Sequence, residues 1–440
     1  MGLVLTEEQQ RAIDLCLSGK TVFITGQAGT GKSAILHVLL SEFGKPSRYG
    51  LLNGAVAVTS TTGVSAVQIN GRTLHSWAGI GLGKLDKHEL YRKIQKNRDA
   101  RKRWVLVNVL VIDEISLLSA ELFDKLEYIA RMVRHDKRPF GGIQLILIGD
   151  FYQLPVIGSQ LFCFDASSWA SVVTNVVHLT RILRQSDPVF RQMLEELRYG
   201  VCSPTTTEIL RSRIKNTEDV NITANGSTIE PTRLFSRNDV VNRINNSRLQ
   251  SLLEIGAENY EYRTLLDLKK TGGRHQDELN RIGHTLVDNR PDLRLAVGAQ
   301  VILTWNIAVE YGLANGSRGV VVRFTSSEGS GDIPCPVIRF MDGREHVISK
   351  TTSKYDSEGI VIEVEFMPLI LGWACSIHMS QGTTLDYVIT SLRKSEIWEC
   401  GQAYVAISRV RTLEGLVLED FEPEVFFCDP RVHEFYQRLH

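Results

Sequence analysis

The chain lacks several features that would point to particular classes of protein. Its 440 residues carry 50 basic and 50 acidic side chains, so no overall charge excess indicates a nucleic-acid or membrane partner. The seven cysteines form no Cys-x-x-Cys pair and no Cys/His metal spacing, which favours reduced thiols inside a cell. The longest apolar runs have the length of strands, and the N-terminus has no signal-peptide pattern. We therefore expect a soluble intracellular protein without a membrane partner, in a compartment that the sequence does not specify.

The strongest motif in the chain is a glycine-rich loop between a predicted strand and a predicted helix. It reads Gly-Gln-Ala-Gly-Thr-Gly-Lys-Ser and matches the P-loop pattern. Its glycines let successive backbone N–H groups point at phosphate oxygens. Lys32 is predicted to reach the β- and γ-phosphates, and the Ser33 hydroxyl is predicted to bind Mg²⁺. The predicted nucleotide contacts in this loop are Gly26, Ala28, Gly29, Thr30, Gly31, Lys32 and Ser33.

A second motif places two adjacent carboxylates at the end of an apolar strand. The strand is predicted over Val105–Ile112, and Asp113 and Glu114 follow it directly. This is the Walker B arrangement of P-loop enzymes. We predict that Asp113 holds Mg²⁺ through water. Glu114 is predicted to orient the attacking water or accept its proton, a role that separates hydrolysis from binding alone.

Other polar residues are candidates for the same site. Gln153 follows a third apolar strand, and we expect it at the γ-phosphate. Gln9 lies in a predicted helix start capped by Thr6; its amide either reads an adenine edge, with one donor group and one acceptor, or belongs to a plain helix N-terminus. Arg409, late in the chain, is a candidate arginine finger that neutralises the transferring phosphoryl group.

Three stretches fit both a structural role and a nucleic-acid role. Ser60–Ala66 follows a predicted strand and either caps the next helix or holds phosphates of a nucleic acid. His75 and Trp77, in a glycine-rich loop, either pack or stack on bases. The run Tyr91–Trp104 holds seven Lys or Arg against one Asp, and fits equally a solvated helix face and a patch that tracks phosphates.

The rest of the chain is less specific. Short alternating strands from Val297 to Glu365, separated by turns such as Asp342-Gly343, predict a small barrel. Residues 200–232 are predicted to form a surface connection, and 254–296 show no clear pattern.

Together these stretches resemble the superfamily 1 DNA helicases, and more closely the petite-integration-frequency (PIF) family, relatives of the RecD-like helicases. The resemblance covers nearly all of residues 5–420. The P-loop, Asp113-Glu114 and Gly149–Pro155 resemble motifs I, II and III. Further stretches are similar to the family's other motifs and to its signature sequence: Leu5–Gln9, Thr59–Ala66, Gly71–Ser76, Ile115–Arg131, Leu183–Gln185, Asn315–Gly319, Ser376–Thr383 and Tyr404–Arg409.

The resemblance implies an α/β fold: two RecA-like P-loop domains with parallel sheets, plus a small all-β SH3-like insertion in the second domain. The implied boundaries are 1–180 for the first domain, with a small wedge at about 66–83, then 181–255 with 372–440 for the second, and 256–371 for the insertion. It adds Arg184 as a second finger residue and Gln381 as a nucleotide contact. The implied DNA contacts are Thr59, Thr62, Gly63, His75, Phe151, His378 and Ser380.

The implied activity is ATP- and Mg²⁺-dependent translocation of a monomer 5′ to 3′ on single-stranded DNA. The implied substrates are forked, partial-duplex or structured DNA, G-quadruplexes among them, in replication, repair, recombination or telomere maintenance. Two residues depart from the family's pattern: Val156 replaces a proline, and Met379 replaces a lysine in a DNA-facing motif. The alternatives are a translocase that does not separate strands or acts on RNA, a nucleotide-dependent switch or loader, and, least expected, a small-molecule kinase.

Overall fold

The computed structural model describes residues 5–44, 55–69, 71–156, 158–215, 222–224, 227–270, 292–305, 307–308, 313, 316–325, 333–357 and 360–439. The chain divides into two units. Unit one comprises 1–212, 392–413 and 421–440, and unit two comprises 213–391 and 414–420. Arg184 and Arg409 both lie in unit one in this division. The domain boundaries implied by the resemblance stay a prediction.

Unit one is organised on a parallel sheet with the strand order β3-β2-β4-β5-β1-β6. Its strands are β1 (Val22–Gly26), β2 (Val56–Ser60), β3 (Arg72–Thr73), β4 (Val109–Asp113), β5 (Gln144–Gly149) and β6 (Asn175–Leu179). They are nearly continuous apolar runs because helices cover both faces of such a sheet. β5 pairs with β1 on one side and with β4 on the other. The carboxyl ends of these three strands therefore meet at one edge, where ligands bind in open α/β sheets.

The α-helices of the described residues are mostly short. In chain order they are α1 (Glu7–Leu17), α2 (Lys32–Phe43), α3 (Gly63–Gln68), α4 (Leu74–Ala78), α5 (Lys87–Lys96), α6 (Arg98–Leu106), α7 (Ala120–Arg134), α8 (Trp169–Val172), α9 (Pro188–Arg198), α10 (Pro204–Ser212), α11 (Asn238–Glu254), α12 (Gln402–Ser408) and α13 (Pro430–Gln437). Alternate residues of β1 enter different apolar clusters: Phe23 packs in the cluster with α5 to α7, whereas Val22 and Ile24 pack with α1 and α2. None of the described helices is long and apolar enough to cross a membrane.

Unit two contains a second parallel sheet and several antiparallel ones. The strand order β20-β9-β21-β22 includes parallel pairing of β9 with both β20 and β21. Antiparallel sheets have the orders β16-β15-β14-β13-β19, β11-β18-β17, β10-β12 and β7-β8. The strands are β7 (Ile222–Ala224), β8 (Ser227–Ile229), β9 (Thr232–Phe235), β10 (Asn259–Tyr262), β11 (Leu265–Lys270), β12 (Leu293–Ala296), β13 (Gln300–Leu303), β14 (Arg318–Thr325), β15 (Cys335–Phe340), β16 (Glu345–Val347), β17 (Thr351–Ser357), β18 (Ile360–Phe366), β19 (Leu369–Leu371), β20 (Ala374–Ser376), β21 (Val388–Leu392) and β22 (Leu416–Phe421).

The fold class is confirmed as α/β with two parallel sheets, and the short strands after Val297 are confirmed as antiparallel β-structure. The SH3-like form of that region stays a prediction. Residues 200–232 are more regular than a surface connection, because they contain α10, β7 and β8. The stretch 254–296, which showed no pattern, contributes β10, β11 and β12. Asn315, part of a motif from the resemblance, lies outside the described residues.

One local prediction was wrong, and one open alternative was decided. The strand predicted from Val105 begins only at Val109, because Val105 and Leu106 complete α6 and are 48% and 45% exposed. Asn97 starts that helix by accepting a hydrogen bond from the Ala100 N–H, and its capping outweighs the β-propensity of the apolar run. Of the two alternatives for Trp77, the structure shows packing, since its ring is buried with its centroid 4.7 Å from that of Trp104.

Trp104 is the largest fully buried side chain of unit one, and its indole N–H donates to the Ala78 carbonyl at 3.0 Å. We expect Trp104→Ala to lower the free energy of unfolding by about 3–5 kcal/mol, because the change leaves a cavity and an unpaired carbonyl. Urea denaturation followed by circular dichroism measures this loss. Trp104→Phe, which refills most of the volume, should lose less. Equal losses for the two variants would contradict the cavity explanation.

Candidate nucleotide-binding site

The P-loop connects β1 to α2. At two of its positions the backbone conformation requires glycine. Gly29 and Gly31 have φ values of +86°. A Cβ on Gly29 would lie 2.7 Å from the Arg184 Cβ, and one on Gly31 would lie 2.5 Å from the Gln9 side-chain nitrogen. These close approaches bring two predicted site residues, Gln9 and Arg184, directly against the loop.

Lys32 begins α2, and its ammonium group turns back over the loop. Nζ donates to the carbonyls of Gly26 at 2.5 Å and Gln27 at 3.1 Å. Burial lowers the pKa of this ammonium group, and the carboxylates of Asp150 and Glu114 oppose that shift. A phosphate chain supplies stronger acceptors than two backbone carbonyls. The position of Lys32 therefore suits the phosphate role predicted for it.

Asp113 and Glu114 stand at the end of β4. Burial, and then the neighbouring charge of Glu114, raise the pKa of Asp113 to about 7. A hydrogen bond from the Glu114 N–H to Asp113 Oδ1, at 2.9 Å, opposes this rise. Glu114 itself has φ +54°, a left-handed conformation that is uncommon outside glycine and occurs at functional sites.

The donor set at this edge suits Mg²⁺. The ion binds through one or two carboxylates together with substrate phosphates, and it prefers hard oxygen ligands. Asp113 offers a carboxylate, and a bound cation would stabilise its ionised form. Ser33, the second residue of α2, offers an exposed hydroxyl. Asp113 and Ser33 are therefore the residues that would hold it.

Gln9 has a structural role that coexists with the one predicted from the sequence. It completes the capping box of α1, in which its side-chain oxygen accepts from the Thr6 N–H at 2.9 Å. Its side-chain nitrogen donates to the Thr30 carbonyl of the P-loop at 3.0 Å. The amide is thus fixed between the helix start and the loop. The amide keeps a second N–H and a second oxygen lone pair for an adenine edge, and that role stays a prediction.

The two candidate finger arginines lie together beside the P-loop. The Leu183 and Arg184 N–H groups donate to the Gly29 carbonyl at 2.8 and 3.2 Å, and the Arg184 guanidinium donates to the Ser408 carbonyl at 3.1 Å. Arg409 is buried and donates to the Val405 carbonyl at 2.9 Å. Burial, and then the charge of Arg184, lower the pKa of Arg409 to about 9. An anion between the two guanidinium groups would relieve their repulsion.

Gln153, the predicted γ-phosphate sensor, is buried in the turn after β5. This turn packs directly on the start of α12, since a Cβ on Gly401 would lie 2.5 Å from the Tyr152 carbonyl and 2.7 Å from the Gln153 carbonyl. Gly401 has φ +71°, which also favours glycine. The turn that carries Gln153 and the helix that precedes Arg409 are therefore in contact.

A buried ion pair that the sequence did not reveal holds this turn. Asp150 accepts two hydrogen bonds from Arg198, at 2.8 and 3.0 Å, and both side chains are almost inaccessible. Burial alone would raise the pKa of Asp150, but the Arg198 charge and hydrogen bonds hold it below its usual value. The Tyr436 hydroxyl, in α13, also donates to Asp150 and lies 2.6 Å from the Thr25 hydroxyl. Arg198 had no sequence signal, because a basic residue at a helix end is usually solvated.

Tyr404 is another residue of the site whose role was not predicted individually. It lies in α12, inside the stretch that resembles a family motif, and its hydroxyl accepts from the Ala28 N–H of the P-loop at 3.3 Å. Burial raises the pKa of this hydroxyl to about 12, so it stays protonated.

Three of the predicted DNA contacts are enclosed in the structure. Thr59 is buried and donates to the Val111 carbonyl at 2.6 Å, and Ser380 is buried and donates to the Ile377 carbonyl at 2.8 Å. Phe151 is 2% exposed and packs in an aromatic cluster of unit one. These three residues therefore fill structural roles in the protein, and their DNA contacts stay predictions.

The other predicted DNA contacts keep some access to solvent. Gly63 is exposed. The Thr62 hydroxyl accepts from the Ser65 N–H at 3.1 Å, which is the helix-capping alternative. His75 and His378 are half-buried, and burial lowers the pKa of each. Gln381 is buried in unit two, so its nucleotide contact, like the DNA contacts of these four residues, stays a prediction.

The parallel sheet, the phosphate-binding loop and the carboxylates at the end of β4 define a P-loop protein. The model of the family described as "PIF1-like helicase" matches residues 4–207, and that of "DNA helicase Pif1, 2B domain" matches 279–324. The crystal structure of Pif1 helicase from Candida albicans is 33% identical, with a TM-score of 0.79 and full coverage of both chains. The chain belongs to the PIF1-like helicase family.

Two further relatives show the range of the similarity. Human ATP-dependent DNA helicase PIF1 is 41% identical over 99% of this chain, which spans 64% of the human protein's length. The crystal structure of a Bacteroides Pif1 bound to single-stranded DNA is 25% identical, with a TM-score of 0.67, and covers 99% of this chain and 97% of that one.

The pair Asp150–Arg198 gives a prediction for stability. Arg198→Leu leaves the Asp150 carboxylate buried without its partner, and we expect the free energy of unfolding to fall by about 3–5 kcal/mol. Arg198→Lys keeps the charge but not the paired hydrogen bonds, so its loss should be smaller. Urea denaturation of both variants tests this order, and a loss below about 1 kcal/mol for Arg198→Leu would refute it.

Proposed function

We propose that the chain is an ATP-dependent DNA helicase that translocates 5′ to 3′ on single-stranded DNA and separates duplex or structured DNA. The observation that carries this proposal is the convergence of four features at one edge of a sheet: the P-loop, Asp113 with Glu114, the Gln153 turn and the two arginines. Membership of the PIF1-like helicase family supports DNA as the substrate. The proposal includes a monomer as the active species.

The proposed chemistry follows from the positions of the side chains. Lys32 leaves the carbonyls of Gly26 and Gln27 for the β- and γ-phosphates of ATP. Mg²⁺, when bound, neutralises charge on the phosphates. Glu114 orients a water molecule and accepts its proton as that oxygen attacks the γ-phosphorus, and the bond to the β,γ-bridging oxygen breaks. Arg184 and Arg409 stabilise the charge that develops on the transferring group.

The proposed coupling to DNA begins at the same residues. Arg184 contacts both the P-loop and the carbonyl of Ser408, and the Gln153 turn contacts Gly401 at the start of α12. A γ-phosphate bound by Arg184 and Arg409 would add contacts between the P-loop and the end of α12, and its loss would remove them. In the proposed cycle this movement alternates the grip of Thr62, Gly63 and His75 with that of His378, which advances the protein along the strand.

Two substitutions separate binding from hydrolysis. Lys32→Ala should abolish ATP turnover because the phosphates lose their main cation. Glu114→Gln should bind ATP with affinity near that of the wild type but lower kcat by about 10²-fold or more, because the amide cannot accept the proton. ATPase assays and equilibrium binding of a fluorescent ATP analogue measure the two properties. Hydrolysis by Glu114→Gln at the wild-type rate would show that another group is the base.

The direction of movement is tested with forked DNA that carries either a 5′ or a 3′ single-stranded tail, with Lys32→Ala as the inactive control. We expect ATP-dependent unwinding from the 5′ tail only. Unwinding from the 3′ tail would refute the polarity. ATPase stimulated by single strands without any unwinding would instead identify a translocase.

A further inference from the structure

Helices α5 and α6 present a cationic surface that the nucleotide site does not use. Residues 87–106 contain eight Lys or Arg and only two carboxylates, Glu89 and Asp99. Six of these cations are exposed. Lys87 lies over the Tyr128 ring, 5.1 Å from its centroid, and the other five form what we call the basic face: Arg92, Lys96, Arg98, Arg101 and Lys102. Glu89 is engaged in the capping box of α5. Among the described residues, no carboxylate forms an ion pair with any member of the basic face.

The arrangement of the basic face works against the stability of its own helices. Arg92 and Lys96 lie four residues apart on α5, and Arg98 and Lys102 lie four apart on α6. Like charges at this spacing repel each other on a helix surface. Arg98 is also the first residue of α6, where the helix dipole disfavours a cation. A polyanionic partner would remove all of these repulsions at once.

The basic face is rigidly joined to a predicted DNA-contacting element. The Arg103 side chain donates to the Trp77 carbonyl at 2.7 Å, and the Trp104 indole donates to the Ala78 carbonyl at 3.0 Å. Both carbonyls belong to α4, the helix that carries His75. A nucleic acid that reaches His75 is therefore close to α6.

The aromatic residues of this region distinguish between kinds of nucleic acid. Sites for single strands combine cations with aromatic rings on which the bases stack. Here Trp104 and Trp77 are buried, and Tyr91 packs against the same apolar cluster. The face thus offers charge without stacking. This combination suits the phosphate backbone of a duplex, which carries more charge per length than a single strand.

We propose that the basic face is a second DNA-binding surface, which holds the backbone of duplex DNA independently of sequence and separately from the strand that the protein is proposed to track. This inference builds on the proposed helicase function, since it assigns the duplex arm of a fork to α5 and α6. Its role is to keep the duplex near the point of strand separation.

The test is equilibrium binding without nucleotide, using a blunt duplex and an oligothymidylate of equal length at several salt concentrations. In the variant Arg98→Gln/Arg101→Gln/Lys102→Gln, glutamine keeps helix propensity while removing charge. We expect duplex affinity to fall about tenfold or more, and the slope of log affinity against log salt to decrease by about 2 to 3, while oligothymidylate affinity changes less than about twofold.

The matched control is Arg11→Gln/Lys20→Gln/Lys137→Gln, which removes three exposed cations elsewhere in unit one and should retain duplex affinity. An equal loss in this control would overturn the proposal, because the effect would be one of net charge. An equal loss on oligothymidylate, or no loss on either probe, would also overturn it.

Two further measurements keep the result independent of folding and of the helicase proposal. Arg92→Gln/Lys96→Gln, on the other helix, should also weaken duplex binding, and it replaces the first variant if that one does not fold. Arg98→Lys/Arg101→Lys should preserve duplex binding because the charges remain. Unchanged duplex binding by Arg92→Gln/Lys96→Gln would refute a face that spans both helices. If the wild type lacks DNA-stimulated ATPase yet binds the duplex through this face, the helicase proposal fails and the surface stands.

Discussion

The parallel pairing of β4, β5 and β1 is the constraint on which the candidate site depends. Parallel strands end at the same edge, so residues far apart in the chain arrive side by side: the P-loop after β1, Asp113 at the end of β4 and Asp150 after β5. The strand pairing therefore fixes the positions of the backbone that carries the functional groups. The side chains then determine what the edge does with a nucleotide.

Charge compensation inside unit one is the second organising principle. Burial disfavours the charged forms of Asp150 and Lys32, and neighbouring groups of opposite charge compensate for it. Arg198 stabilises the Asp150 carboxylate, and Asp150 and Glu114 stabilise the Lys32 ammonium group. Burial shifts the pKa values of Asp113 and Arg409 toward neutrality, to about 7 and about 9. A bound cation would stabilise the ionised form of Asp113, and a bound phosphate chain would stabilise the charged form of Arg409. The site is therefore balanced for an ionic ligand.

Much of the candidate site could be predicted from sequence, because its chemistry is carried by residues close together in the chain. The P-loop needs glycines, a lysine and a serine in a fixed spacing, and Asp113 with Glu114 needs only a preceding strand. Side-chain exposure was harder to predict, because it depends on distant partners. Trp77 and Phe151 are aromatic residues in polar surroundings by sequence, but Trp104 covers the first and an aromatic cluster encloses the second.

The sequence by itself determined the α/β class, the phosphate-binding loop, the strand-end carboxylates and the similarity to one helicase family, because each depends on local patterns of residues. Only the tertiary structure decided that Arg184 lies against Gly29 with Arg409 close to it, that Arg198 and Tyr436 support Asp150, and that the cations of the basic face are exposed. These facts depend on contacts between segments separated by tens to hundreds of residues, such as Tyr436 with Thr25. No local pattern encodes such contacts, since they follow from how the helices pack on the completed sheet.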